Sequence, residues 1–237
     1  MTRSVVFVLV VVLASVSLHA EEEGTSDSGF HAEWNVEVAA TNNVVWRGFL
    51  SNRTAALQPS ITLTLGAFEI NSTSVLEFDG RYCWKEHDLQ LSYTRPLYER
   101  LSLTAGYINY AFPAVEKERF AHEFFTGLSF EGATSVRMLA FQNVGASTGS
   151  YLSLELSHGF RNGKRLPIEA AASLGYNRRL FIAENTFSDA AVTISTVIPL
   201  GGRLSIAPEI GFSRGLNRQY FANYVTGGVR LAYGKHE

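Results

Sequence analysis

The side chains able to do chemistry in this 237-residue chain are few and badly placed for catalysis. Hydrolysis by an activated serine needs a serine and a histidine within hydrogen-bond reach, plus a group that orients the histidine. Beyond residue 20 the histidines are His31, His87, His122, His158 and His236, and the best pairs are Ser157-His158 and His122-Glu123. Both pairs lie in stretches that alternate apolar and polar residues, where neighbours point to opposite faces of a strand. Neither pair can cooperate directly, and no His-x-Ser spacing occurs. No His/Cys/Asp cluster has zinc or calcium spacing, and no GxxxxGK[ST] loop is present to cradle a phosphate. No catalytic residue, no metal and no cofactor is expected, and the chain is expected not to be an enzyme.

The other chemistry is charge. Glu33, Glu37, Glu77, Glu123, Glu155, Glu169 and Glu209 fall in phase with small polar residues, and Arg47, Arg203 and Arg230 are candidate partners. Two uses are open. The set could make a field that selects solutes by charge, or cross-barrel ion pairs that fill an interior and set the register, which is the favoured reading. Arg47 stands out because it sits in Trp46-Arg47-Gly48-Phe49, a turn-rich tip between two strands; pairing with an inward carboxylate is its expected role.

The elements that must position these groups are strands. Period-two alternation recurs, and helical periodicity never persists. Strands are expected at about 31–41, 54–66, 69–79, 86–94, 100–110, 120–130, 135–143, 150–159, 166–176, 188–199, 203–213 and 221–233. Tight turns are expected at Gly66-Ala67, Arg95-Pro96-Leu97-Tyr98, Glu131-Gly132-Ala133 and Pro199-Leu200-Gly201-Gly202, and longer links at Phe112 to Arg119 and Arg178 to Ser188. Short turns at one end and longer loops at the other, with an even strand number, are the plan of bacterial outer-membrane barrels. The link from Asp79 to Glu86 is shorter than that plan would like, and Pro59 and Pro208 predict a bulge or strand end, since each removes a ladder donor.

Alternation does not say which face points outward; composition does. One face carries Val36, Ile61, Leu91, Leu103, Leu154, Leu174, Ile194, Ile210 and Leu231 and no charge, whereas the other mixes Ser, Thr and Gly with the acids and arginines. An Arg or Lys facing lipid near the midplane costs roughly 2–4 kcal/mol. Lysine is scarce: Lys85, Lys117, Lys164 and Lys235 fall in expected turns or at the end. Tyr93, Tyr107, Tyr176 and Tyr233 sit near strand ends, where an aromatic girdle belongs. Strand seven is ambiguous, because Val136, Met138 and Ala140 compete with Leu139 and Phe141 for the outer face.

Arg3, the apolar run from Val5 to Leu18, and Ala20 before Glu21-Glu22-Glu23 read as a secretory signal peptide over residues 1–20. The run is shorter than the roughly 20 residues of a spanning helix. Residues 21–237 then form one barrel domain. Cys83, the lone cysteine, has no partner for an internal disulfide, and a formal net charge of −2 offers no footprint for nucleic acid.

The run Asn42-Asn43-Val44-Val45-Trp46-Arg47-Gly48-Phe49, followed by an alternating strand opened by Leu57-Gln58-Pro59, resembles the bacterial family of Gcw_chp or TorF-type porins. Weaker echoes lie in Leu103 to Tyr107, Gly149 to Leu154 and Gly228 to Leu231. The resemblance implies an outer-membrane β-barrel. The chain ends in Gly234-Lys235-His236-Glu237, whereas many such barrels finish on an aromatic residue; Tyr233 would have to serve from inside. The expectation is an all-β, antiparallel up-and-down transmembrane barrel of about twelve strands, monomeric, in contact with outer-membrane lipid. It would pass small solutes through a charged lumen lined by Arg47, Glu37, Glu77, Glu123, Glu155, Glu209 and Arg230. A non-conducting barrel that binds a partner through its loops is the alternative, and a lipid-modifying enzyme the third reading.

Overall fold

The computed structural model describes residues 32–78, 84–115, 119–145, 148–160 and 166–234. The expected signal peptide, Cys83, most of the Asp79 to Glu86 link, Lys117, Lys164, His31 and the terminal residues 235–237 lie outside these residues. The strands are β1 (Ala32–Thr41), β2 (Val44–Trp46), β3 (Phe49–Asn52), β4 (Ala56–Leu65), β5 (Phe68–Glu77), β6 (Trp84–Tyr98), β7 (Leu101–Ala111), β8 (Phe120–Phe130), β9 (Thr134–Val144), β10 (Ser150–Phe160), β11 (Ile168–Arg178), β12 (Asn185–Thr196), β13 (Ile198–Gly201), β14 (Leu204–Gly215) and β15 (Tyr224–Gly234).

Every neighbouring pair in the main sheet is antiparallel, and the sheet closes on itself. β1 pairs with β15 from Asn35↔Gly234 to Thr41↔Gly228, β4 follows on the other side of β1, and the chain then meanders from β4 to β12. Both β12 and β13 pair with β14, so they share one position in the ring. The result is a closed barrel of twelve strand positions, as the alternation predicts. Closure pairs backbone groups that an open edge would leave bare.

The prolines interrupt ladders without shifting them. Leu57↔Leu76 and Ser60↔Thr73 keep one register across β4 and β5, and Gln58 and Pro59 between them have no partner on β5. Ser195↔Glu209 and Ile198↔Ile206 likewise flank Pro208, and this gap divides β12 from β13. Two expected turns are corrected. Arg95, Pro96 and Tyr98 belong to β6, with a bulge between Pro96 and Tyr98, so the turn to β7 is Glu99-Arg100. Pro199 and Gly201 belong to β13, and the turn there is Gly202-Arg203. Lys85 is also a strand residue rather than a turn residue, at a bulge where Val75↔Glu86 is followed by Leu76↔Trp84.

The two faces separate as their composition requires. Ile194 and Met138 are 55% and 58% exposed on the outside, with Leu91, Leu103, Leu154 and Leu231 in the same band. Strand seven resolves in favour of Met138, because Leu139 and Phe141 pack inward against the cluster of Ile108, Tyr110 and Phe125. Outward aromatic pairs mark both rims. Trp34 stacks on Tyr233 and Phe68 packs at a tilt against Tyr93 near the short turns, while Tyr176 meets Phe187 and Tyr107 meets Phe124 toward the longer loops.

Candidate functional site

Between β1 and β4 the chain makes a small hairpin of its own, β2 paired with β3, which is separate from the barrel wall. Its two-residue turn is Arg47-Gly48, flanked by the pair Trp46↔Phe49. Both turn residues are left-handed, with φ of 52° and 82°, the primed geometry whose twist suits a tight hairpin. Glycine adopts it freely, whereas a side chain there costs about 1–2 kcal/mol. An arginine held in that conformation needs compensation.

The compensation comes from the far wall. Around the ring, β9 and β10 stand six positions from β1 and β4 respectively, half of the way round. Arg47 reaches that side. Its two Nη atoms donate to the two carboxylate oxygens of Glu123 on β8, each at 2.7 Å. Its guanidinium carbon lies 4.2 Å from the ring centre of Phe141 on β9, 4.9 Å from Tyr151 on β10 and 4.3 Å from Trp46. The planar fork satisfies the carboxylate while its faces meet aromatic rings, a combination lysine cannot reproduce. The Tyr110 hydroxyl donates to Glu123 Oε2 at 2.8 Å. The side chains of the ion pair are 7% and 1% exposed.

Rings hold the flanks. Trp46 packs edge-on to Tyr110 at 6.0 Å and against Phe181 at 5.9 Å, and Phe49 packs against Phe221 at 4.8 Å. Phe181 and Phe221 come from the connections before β12 and β15, so loops from two further sectors close over the hairpin. A Cβ on Gly48 would sit 3.0 Å from the Phe221 ring and 3.1 Å from the Asp189 carboxylate. The hairpin therefore spans the lumen and is clamped at its tip.

Space remains on one side of it. A chamber of about 450 Å³ is roofed by Val45 to Gly48 and walled by residues of β6, β7, β9, β10, β11, β12, β14 and β15. It shares Glu155, Ser173, Ala191 and Thr193 with a second cavity of about 370 Å³, which reaches Glu131 beside the β8–β9 turn. An aromatic pocket of about 250 Å³ lies around Trp46, Phe49, Phe112 and Phe181.

The sequence-derived residues fall as follows. Arg47 and Glu123 are brought together as the expected arginine–carboxylate pair. Arg230 lies between Glu37 at 3.6 Å and Glu209 at 3.8 Å. Glu77 pairs with Lys85 at 3.1 Å and Glu155 with Arg137, two cations that periodicity did not single out. Glu169 lines the smaller polar cavity. Glu33 faces the lumen by its register with Thr64. Arg203 sits in the β13–β14 turn, where its carbonyl accepts from Gly234 N, and joins no ion pair among the described residues.

Four lumen acids were missed. Glu69 lies opposite Thr64 and Ser92, Glu86 and Asp88 follow from the parity of β6, opposite Leu89 and Leu91, and Asp189 shares the parity of Ala191 and Thr193 on β12. Lumen acids thus outnumber the lumen cations Arg47, Lys85, Arg137 and Arg230 among the described residues. The histidines point the other way. His122 meets the Tyr107 hydroxyl at 2.7 Å and Asn109 at 3.0 Å, His158 meets Thr134, and His87 meets Ser74. Glu123 is bound to Arg47 on the opposite face from His122, so that sequence pair is split, as is Ser157-His158.

No family model matches the chain, and no curated protein matches it, so the family resemblance of the 42–59 stretch rests on those residues alone. Solved structures do match in fold. The NanC porin superposes with a TM-score of 0.57 at 8% identity, covering 85% of this chain and 100% of that one. The KdgM porin, solved in complex with disordered oligogalacturonate, gives 0.56 at 11% identity, with 85% and 99% covered. An outer membrane channel from Pseudomonas putida F1 gives 0.53 at 8% identity, with 92% and 100% covered. At these identities the likeness is one of fold alone: the closed antiparallel barrel that these porins also have.

Proposed function

We propose that this protein is a bacterial outer-membrane barrel of the porin kind, exported by a cleaved signal peptide, that passes small solutes by diffusion through an acidic lumen. The observation that carries this reading is the division of the barrel wall. An uncharged outer band encloses a lumen lined by carboxylates, arginines and hydroxyls, with adjoining cavities of about 450 and 370 Å³ inside. Inward charge of one sign raises the local concentration of ions of the other, so cations are the favoured solutes. The path runs past Glu155, Glu37, Glu209 and Arg230 to Arg47 and Glu123 at the hairpin, and past Glu77 beyond it. The barrel works as a monomer in lipid, needs no cofactor, binds no nucleic acid and performs no covalent chemistry. The resemblance at 42–59 extends this reading to membership of the Gcw_chp porins.

One observation favours the alternative of a non-conducting barrel that binds a partner through its loops: the hairpin crosses the lumen and is latched to the far side. Planar-bilayer conductance of the refolded protein decides between them, with Arg47→Ala alongside. Stable steps that favour cations, and that change in frequency or selectivity in the variant, support the channel. A folded, heat-modifiable barrel that conducts in neither form supports the non-conducting one.

A further inference from the structure

We propose that the chamber beneath the hairpin is a binding site for a small protonated amine that also carries hydroxyl groups, an amino sugar being the simplest probe. The reading deepens the proposed solute path by naming the class of solute it retains. At about 450 Å³ the chamber falls within the range of small-molecule sites, roughly 300–1,000 Å³.

Its chemistry is lopsided. Among the described residues Arg47 is the only cation on its lining, and both arms of that guanidinium are committed to Glu123 while three rings surround it. Nothing basic is left for an anion. Asp189, by contrast, is 6% exposed on the chamber wall and joins no ion pair among the described residues. Its Oδ1 accepts from the Ser188 hydroxyl at 2.6 Å and the Tyr151 hydroxyl at 3.3 Å. Its Oδ2 accepts no hydrogen bond from the described residues. A buried carboxylate without a counter-charge is unfavourable, and a cation brought to it offsets that cost.

A second group points independently to a ligand. Ser213, 5% exposed and on the same wall, has an Oγ with no hydrogen-bond partner. Buried hydroxyls are nearly always satisfied, and this one, on a residue that lines the cavity, has no partner among the described residues. Ser153, Ser173 and Thr193 add hydroxyls along the same lining. A carboxylate that lacks a cation, set among hydroxyls that can donate or accept, suits an ammonium group on a polyol.

The test uses one carbon skeleton with three charges. Glucosamine, glucose and glucuronate are titrated against the full-length barrel in detergent by saturation-transfer NMR, which needs no conductance. The expected result is glucosamine bound at least tenfold more tightly than glucose, and no binding of glucuronate. Asp189→Asn should weaken glucosamine at least tenfold while leaving glucose within twofold. Ser213→Ala, which removes a hydroxyl with no protein partner, should weaken both sugars about threefold. Equal binding of all three sugars, or glucosamine binding unchanged in Asp189→Asn or in Ser213→Ala, overturns the site. Should Asp189→Asn fail to fold, the wild-type charge series and Ser213→Ala decide. Selective binding without conductance would remove the channel and keep the site; conductance without selective binding would do the reverse.

Discussion

Replacing Glu123 by glutamine should release the hairpin from the far wall. In the wild type the pair is buried, with 7% and 1% side-chain exposure, and both Nη atoms are engaged at 2.7 Å. Breaking such a pair by removing one charge costs about 3–5 kcal/mol, because the remaining ion is buried and uncompensated. Arg47 keeps its contacts with Trp46, Phe141 and Tyr151, and glutamine keeps one acceptor, so the lower end applies. At about 1.4 kcal/mol per decade, roughly 3 kcal/mol lowers the docked-to-undocked ratio by about a hundredfold. Trp46 reports the change once Trp34 and Trp84 are replaced by phenylalanine, which preserves the ring contacts with Tyr233 and His87. Acrylamide quenching of Trp46 should rise sharply in Glu123→Gln. The double variant Arg47→Met/Glu123→Leu should return it toward wild type, since an apolar pair of similar volume avoids both desolvation costs. Equal quenching in wild type and Glu123→Gln would refute the ion pair as the latch and leave the aromatic contacts as the whole of it.

Gly48→Ala forces a Cβ into a φ of 82° and to 3.0 Å from Phe221; with strain of about 1–3 kcal/mol, the same quenching assay should show partial release in a barrel that remains heat-modifiable. Ile194→Arg, at a site 55% exposed in the uncharged band, should destabilise the bilayer-inserted barrel by about 2–4 kcal/mol, read by urea unfolding from lipid vesicles, whereas Thr193→Arg on the lumen side should not. Arg230→Ala removes the cation between Glu37 and Glu209; since Arg230 is half-exposed, stability should change by less than about 1 kcal/mol, while the reversal potential in a KCl gradient moves further toward cations.

The barrel was legible because alternation is a two-state code: once one position is outward, a strand's other positions follow unless a bulge intervenes. The bounds of β8 were read without error, and β1 and β10 to within a residue. Strand seven stayed ambiguous because both of its faces are apolar, and the inner one, Leu139 and Phe141, is apolar for the sake of the cluster under the hairpin. The hairpin itself is too short for periodicity to register. Its signals were different in kind. Gly48 lies in a two-residue turn between Val45-Trp46 and Phe49-Leu50, and so many apolar residues at an exposed tip make sense only if the tip is buried. The Arg47 to Glu123 pairing was anticipated as a type of contact, but its partner sits 76 residues away, and no local pattern names it. Asp189, by contrast, was legible: it shares the parity of Ala191 and Thr193, and its register with β14 is unbroken from Asp189↔Gly215 to Ser195↔Glu209.

The seam of the barrel also sets an order of events during assembly. β1 and β15, the first and last of the described strands in chain order, pair with each other: Asn35 meets Gly234. A contact of such sequence separation carries a large loop-closure cost and forms slowly. The partners of the hairpin are spread over β8, β9, β10 and the connections holding Phe181 and Phe221, so no early intermediate offers its complete dock. Until the connection before β15 is in place, Phe49 lacks Phe221 and the dock is incomplete. Burial of Trp46 should therefore lag behind strand formation and coincide with ring closure, making the hairpin a built-in clock hand for the final step of folding.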